Sequence, residues 1–296
     1  MSSHQTVTFI GVPTDLAGNE RGAAQAPSII KRSIDQWRTC QWLDDLKLNP
    51  SLVESSVLAQ LTELFSRLSE KTYKHAQDQQ PFITIGGDHS VALASWAGVS
   101  RALQQQGESW GLIWVDAHLD IHTFETSHTQ NIHGMPVAGL LGQDPMLMDM
   151  VKLSTPALKP EHLFYLGVRS YEPEEKQLVE SLGCHVYDMC AIHARGVDSI
   201  IAEISQKLSA QGIHKIGMSI DIDALDPDVA SAVTVPEDDG MLLSQVVTLI
   251  SRLGGDFQMI GADLVEYCPD RDQAEQSLRC IQNILSSLLL SMQNIQ

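Results

Sequence analysis

Trp114-Val-Asp-Ala-His-Leu-Asp120 closes an apolar run with three metal-ligand side chains at alternate positions. Ser219-Ile-Asp-Ile-Asp-Ala-Leu-Asp-Pro227 repeats the device with Asp221 and Asp223. In an extended chain, residues i, i+2 and i+4 face the same way. Asp116, His118 and Asp120 therefore converge at one strand end, and Asp221 and Asp223 at another. Groups of this kind, packed together, would repel one another and lose hydration unless cations neutralised them. The pattern predicts a metal site, and the number of ligands predicts more than one ion.

Working outward, strand-like and helix-like segments alternate along the chain. Short apolar runs rich in β-branched residues predict strands at Val7–Val12, Phe82–Ile85, Gly111–Val115, Leu163–Val168, His185–Tyr187, Ile216–Ile222 and Met259–Leu264. Between them, Asn49-Pro50 reads as an N-cap followed by proline at the first helical position. The stripe Leu52, Val53, Val57, Leu58, Leu61, Leu64, Phe65 and Leu68 continues from it. Further helices are expected after Ser90 and over about 174–182, 197–210, 242–253 and 271–292. The alternation predicts an α/β fold of three layers (αβα) with a central, mostly parallel sheet, as one domain over residues 1–296. In such sheets ligands bind beyond the carboxyl ends of the strands. The candidate ligands all sit there.

Composition excludes several classes. The 296 residues are 43% hydrophobic, enough for a sizeable core. A net charge of −18 argues against nucleic acid, whose phosphates need clustered Lys and Arg. It fits an acidic surface that keeps a protein soluble. The five cysteines are scattered and form no C-x-x-C pair, which reads as reduced thiols in the cytoplasm. No leader pattern opens the sequence, and the apolar runs are too short to span a bilayer, so no membrane partner is expected.

A third strand end joins the first two. Ile85-Gly-Gly-Asp-His-Ser90 presents His89 after glycines that permit a sharp turn. The set His89, Asp116, His118, Asp120, Asp221 and Asp223 holds four carboxylates, two imidazoles and no thiolate. Structural zinc favours Cys and His, whereas this mixture suits manganese, with iron or cobalt as substitutes. Paired divalent ions that acidify a shared water imply metal-assisted hydrolysis of a carbon or phosphorus centre. Asp226-Pro227 reads as a turn, and Asp88 as a backbone-bonding group.

Together these runs resemble the ureohydrolase family of arginases, agmatinases and relatives. G-G-D-H, D-A-H-x-D and S-x-D-x-D-x-x-D-P occur intact and in order. Gly11-Val-Pro-Thr-Asp15, Asn131-Ile-His-Gly-Met-Pro136, Gly167-Val-Arg169 and Asp263-Leu-Val-Glu266 extend the resemblance, closest to arginase, over nearly the whole chain. It implies two Mn²⁺ ions. His89, Asp116, Asp120 and Asp221 would hold one; Asp116, His118, Asp221 and Asp223 would hold the other. It implies catalytic roles for His133, Asp120, Asp223 and Glu266, with His133 as proton shuttle and Glu266 as partner of a guanidinium. The implied reaction turns L-arginine or a related guanidino amino acid into urea and an amine (ornithine) through a metal-bridging hydroxide. A cytoplasmic homo-oligomer, a trimer or hexamer, is implied as well.

The substrate positions depart from the family pattern. His122 stands where arginases carry asparagine, Glu172 where they carry aspartate, and Thr129 where they carry serine. Asn131 and Glu175 complete the expected substrate contacts. Val235 replaces a threonine, and Thr234 beside it is expected to point elsewhere in an extended chain. Agmatinase, guanidinobutyrase and formimidoylglutamase-type hydrolysis therefore stay open, as does a non-catalytic relative that binds metal or arginine.

Overall fold

The computed structural model describes residues 6–37 and 40–293. Its strands are β1 (Val7–Gly11), β2 (Cys40–Trp42), β3 (Phe82–Ile85), β4 (Trp110–Val115), β5 (Leu163–Leu166), β6 (His185–Tyr187), β7 (Lys215–Asp221) and β8 (Gln258–Val265). The helices are α1 (Ala26–Ser33), α2 (Val57–Gln77), α3 (Val91–Gln106), α4 (Pro136–Leu140), α5 (Pro145–Met150), α6 (Pro173–Leu182), α7 (Met189–Arg195), α8 (Val197–Ala210), α9 (Leu243–Asp256) and α10 (Gln276–Gln293). The expected three-layer arrangement is present. Every pairing among these eight strands is parallel.

The sheet runs β2-β1-β3-β8-β7-β4-β5-β6. One half is laid down first, then the other, and β7 and β8 enter between them. Strand order thus reverses at the centre, where a crevice opens beyond the carboxyl ends. The four central strands, β3, β8, β7 and β4, are the ones that end in the chemical motifs.

Both sheet faces are buried, so alternate residues feed two cores. Ile113 and Val115 of β4 pack with α8, α9 and α10. Trp110, Leu112 and Trp114 pack with α2 and α3. Continuing the alternation, Asp116 falls on the α3 side, as does Asp221 after Gly217 and Ser219. A Cβ on Gly217 would come within 2.3 Å of the Trp96 ring of α3, so glycine lets this buried helix lie close to the sheet.

Several boundaries differ from expectation. Asn49-Pro50 starts only a short 3-10 turn, Pro50–Leu52, with the Asn49 side chain accepting from the Ser51 amide. The long helix begins after Ser56, whose hydroxyl accepts the Ala59 N–H at 3.2 Å. Val53 and Val57 consequently lie outside the buried stripe, at 67% and 42% exposed. Likewise, Asp272 receives the Ser277 and Leu278 amides and delays the last helix to Gln276. Edge strand β2 is only three residues long, with Gln41 exposed between half-buried Cys40 and Trp42. It is held by Trp42 stacking on Phe9 at 5.1 Å. No described helix is long and apolar enough to cross a membrane.

The contact between α2 and α3 depends on Gly98, where an added Cβ would meet the Ser69 carbonyl oxygen at 2.1 Å. Gly98→Ala should destabilise the chain by about 1–3 kcal/mol. Gly255, in the last turn of α9 with nothing nearby, should instead gain a few tenths to about 1 kcal/mol on change to Ala. Urea unfolding midpoints check both, and equal effects would contradict the packing account.

Candidate metal centre and its pocket

His89 sits in the turn after β3, where its ring stacks on Trp114 at 4.2 Å and 7°. The Nε2 atom lies 2.9 Å from the Ser219 hydroxyl, which donates to Asp263 at 3.3 Å. Sheet register explains this chain. Thr84, Asp263, Ser219, Trp114 and Tyr165 are successive partners across β3, β8, β7, β4 and β5. They form one buried row beneath the strand ends. Ser219 turns Nδ1 of His89 upward into the crevice.

There, Nδ1 of His89 meets Asp116 Oδ2 at 3.0 Å, Asp120 Oδ2 at 3.1 Å and Asp221 Oδ2 at 3.2 Å. All four residues are buried. Despite this proximity, Nδ1 has no partner at hydrogen-bonding geometry. A buried imidazole nitrogen orphaned among carboxylate oxygens fits a cation between them.

Nearer solvent, His118 Nδ1 lies 3.1 Å from Asp223 Oδ2 and 3.5 Å from Asp116 Oδ1. Asp116 thus turns one oxygen to each histidine and belongs to both ligand groups, His89–Asp116–Asp221 and Asp116–His118–Asp223. Trp114 Nε1 and the His118 amide donate to its two oxygens at 2.9 and 2.7 Å, which fixes the carboxylate plane. The second oxygen of Asp221 accepts the Asp223 amide at 2.8 Å. Asp120 is held at a left-handed φ of 50°, which aims its side chain back toward His89.

Without cations, protons must balance these charges. Burial opposes protonation of His89 and His118, yet the surrounding aspartates push both well above the ordinary histidine range. Burial, with repulsion from Asp116, pushes Asp120 up to about 7. The same causes, with Asp223 foremost among the neighbours, raise Asp221. Asp116 lies below its ordinary value because the two imidazoles outweigh burial.

Glu266 enters from the end of β8, 2% exposed and at a φ of 63°. It accepts the His89 amide at 2.8 Å and faces His133 Nδ1 at 3.2 Å. Burial would raise its pKa, but His133, Thr234 and the His89 amide together hold it below the usual range. In return, Glu266, with help from Asp88 and Asp120, overcomes burial and lifts His133 to about 9. Thr234 donates its hydroxyl to the other Glu266 oxygen. This corrects the expectation that Thr234 points elsewhere. Val233 pairs antiparallel with Tyr267, so Thr234 comes opposite Glu266. Arg271 fixes that register through the Val233 and Thr234 carbonyls at 2.8 and 3.0 Å. Val235 is 36% exposed.

These groups line a cavity of about 300 Å³, together with His122, Glu172, Glu175, Ser170, Tyr171 and Glu237. His122 pairs with Glu172 and lies 3.5 Å from Glu175, while its Nδ1 meets Thr126 at 3.0 Å. Glu172 and Glu175 also form the capping box of α6. Thr129 and Asn131 are not among the lining residues. Thr129 is exposed and accepts the Asn131 amide within its own loop. Asp88 receives the Ala17 and Ser90 amides, and Asp226 those of Asp228 and Gly240.

Sequence reading missed Ser170, Tyr171 and Glu237, which reach the cavity from loops. It also missed the Ser219–Asp263 support, although Ser219 shares the alternation of Asp221. Arg169 staples the loop after β7, donating to the carbonyls of Asp223 at 2.7 Å, Glu237 at 2.8 Å and Asp238 at 2.8 Å.

The arginase family pattern matches residues 5–291. The arginase of Bacillus subtilis is 30% identical, covering 96% of this chain and 98% of the relative. Its crystal structure superimposes with a TM-score of 0.87 over the same shares. The native arginase structure from Bacillus caldovelox, 29% identical, also gives 0.87, covering 96% and 98%. An Entamoeba histolytica arginase in complex with L-ornithine, 25% identical, gives 0.84 over the same shares.

Metal loading should displace the protons now held by the histidines and by Asp120. At pH 7, titration with Mn²⁺ should release roughly two or more protons per chain, and affinity should fall as pH drops. Calorimetry in buffers of different ionisation enthalpy measures this. Absence of net proton release would contradict the cation account of the cluster.

Proposed function

The chain belongs to the arginase family and is a hydrolase of carbon–nitrogen bonds in amidines; from that premise we propose that it is a dimanganese amidinohydrolase acting on L-arginine or a related guanidino amino acid. Urea and an amine, ornithine from arginine, would be the products. The observation that carries the reading is the orphaned His89 Nδ1 among three carboxylates, facing Glu266 and His133 across one cavity. His89, Asp116, Asp120 and Asp221 would hold one ion. Asp116, His118, Asp221 and Asp223 would hold the other. Bound ions would supply an acidified water as nucleophile.

The remaining chemistry belongs to the side chains. Glu266 stays ionised and offers a carboxylate to a planar guanidinium, the geometry such a cation prefers. Three donors hold its plane, so the substrate carbon meets a fixed partner. His133, protonated near neutral pH, keeps a proton beside Glu266 for the departing amine. Asp120 and Asp223 combine ligand duty with charge stabilisation at the reacting carbon. His122, Glu172 and Glu175 would receive the far end of the substrate. Thr129 and Asn131 would act on it through their loop. We further propose a cytoplasmic trimer or hexamer, a reading supported by the family alone.

One observation favours a second substrate. No Lys or Arg is among the residues lining the cavity, whereas Glu172, Glu175 and Glu237 are. A guanidino compound with a distal amine, such as agmatine, would meet complementary charge there.

With Mn²⁺ loaded, urea release from arginine, agmatine and guanidinobutyrate, and formamide release from formiminoglutamate, should separate these readings. Urea from arginine above the others supports the first; agmatine dominance supports the second. Formamide from formiminoglutamate, with no urea from the guanidino compounds, would identify formimino hydrolysis. No turnover of any compound, with metal bound, would sink the enzyme reading. Thr234→Val should lower kcat/KM about tenfold by removing a hydrogen bond to a charged carboxylate. His133→Ala should lower kcat about a hundredfold. Unchanged kinetics in either variant would contradict the assigned role.

A further inference from the structure

A second cavity of about 330 Å³ opens on the far side of α2 and α3 and shares no lining residue with the metal pocket. Ser66, Arg67, Ser69 and Glu70 come from α2, Arg101 from α3, and Lys152 from the segment just beyond α5. The chain holds 37 acidic residues against 19 Lys and Arg. Three cations around one cavity, with Glu70 as the acid in its lining, run against that balance.

The donors here are incompletely used. Arg67 Nη2 donates to the Lys47 carbonyl and to Glu63, both at 2.7 Å. Arg101 Nη2 donates to Glu70 at 3.1 Å, with its guanidinium 5.0 Å over the Tyr73 ring. Lys152 Nζ donates to the Ser66 hydroxyl at 3.1 Å. In both arginines Nε is buried and has no partner, and so is the hydroxyl of Ser69, a residue only 2% exposed. Buried donors without acceptors are costly unless a ligand supplies the acceptors.

We propose that this cavity binds the phosphate group of a small metabolite. An oxyanion in the cavity would give acceptors to the guanidinium groups of Arg67 and Arg101 and to the Lys152 ammonium at once. Three cations against Glu70 in the lining and Glu63 on Arg67 leave a net positive charge for an anion. Donors from three separate segments suit a tetrahedral group, whereas a planar carboxylate needs one fork. The cavity exceeds an inorganic phosphate and leaves room for an organic remainder.

The test titrates inorganic phosphate and, separately, glycerol phosphate into the metal-loaded full chain by calorimetry, with acetate as the planar control. Saturable phosphate binding is expected, weakened about tenfold by Lys152→Gln and by Arg101→Gln. Lys152 is exposed, so its substitution leaves folding intact, and hydrolytic turnover should be unchanged in both variants. Tighter binding of glycerol phosphate assigns the site to phosphate esters; equal affinity assigns it to the free ion. Either result supports the site. Absence of saturable binding, equal binding of acetate, or phosphate affinity unchanged in both variants would overturn it. Because neither variant touches the metal pocket, failure here leaves the hydrolase reading standing.

Discussion

The structure is organised around one crowded point, where three aspartate oxygens crowd Nδ1 of the buried His89 ring. So much negative charge removed from water is tolerable only if something positive is placed among it. The rest of the molecule makes that placement rigid. A row of partners across five strands supports the ring from below. Trp114 does double duty, stacking on His89 and donating to Asp116. Any slip of sheet register by one residue would turn Asp116 and Asp221 into the opposite core. The buried, all-parallel sheet is therefore the device that fixes the ligands, and the loops above it only adjust what they meet.

Where the site came from strand alternation, it was legible in the sequence. Asp116, His118 and Asp120, like Asp221 and Asp223, lie at the ends of apolar runs, and period two brings each set to one face. His89 needed company to be read, because a histidine after two glycines is ambiguous alone. The αβα fold was equally legible, since seven of the eight described strands coincide with the expected apolar runs. Edge strand β2, with Cys40, Gln41 and Trp42, lacks that signal because an edge need not be apolar on both faces. The start of α2 was misplaced because two competing N-caps, Asn49 and Ser56, stand seven residues apart. Only tertiary context decides between them.

Loop geometry resisted reading for a different reason. Thr234 reaches Glu266 because Val233 pairs with Tyr267, a register set by Arg271 from distant sequence. An extended-chain rule applied to Thr234 and Val235 alone cannot see that pairing. The same holds for Ser170, Tyr171 and Glu237, which Arg169 and the α6 capping box bring to the cavity. Thr129 and Asn131 illustrate the converse: motif positions outside the cavity lining, with the Thr129 hydroxyl accepting the Asn131 amide in their own loop. Thr234, the residue before Val235, supplies a hydroxyl to Glu266. The changes at the mouth are different in kind, because His122 is paired with an acid there. They alter the charge that a substrate tail would meet while leaving the metal ligands untouched.

The central claim is that one carboxylate, Asp116, serves two cation sites at once. Metal stoichiometry after equilibrium dialysis against Mn²⁺ tests it most directly, on wild type, His118→Ala and Asp116→Ala. The account predicts two ions per chain for the wild type, one for His118→Ala and none for Asp116→Ala. An Asp116→Ala protein that is folded and still holds a full equivalent of manganese would contradict it.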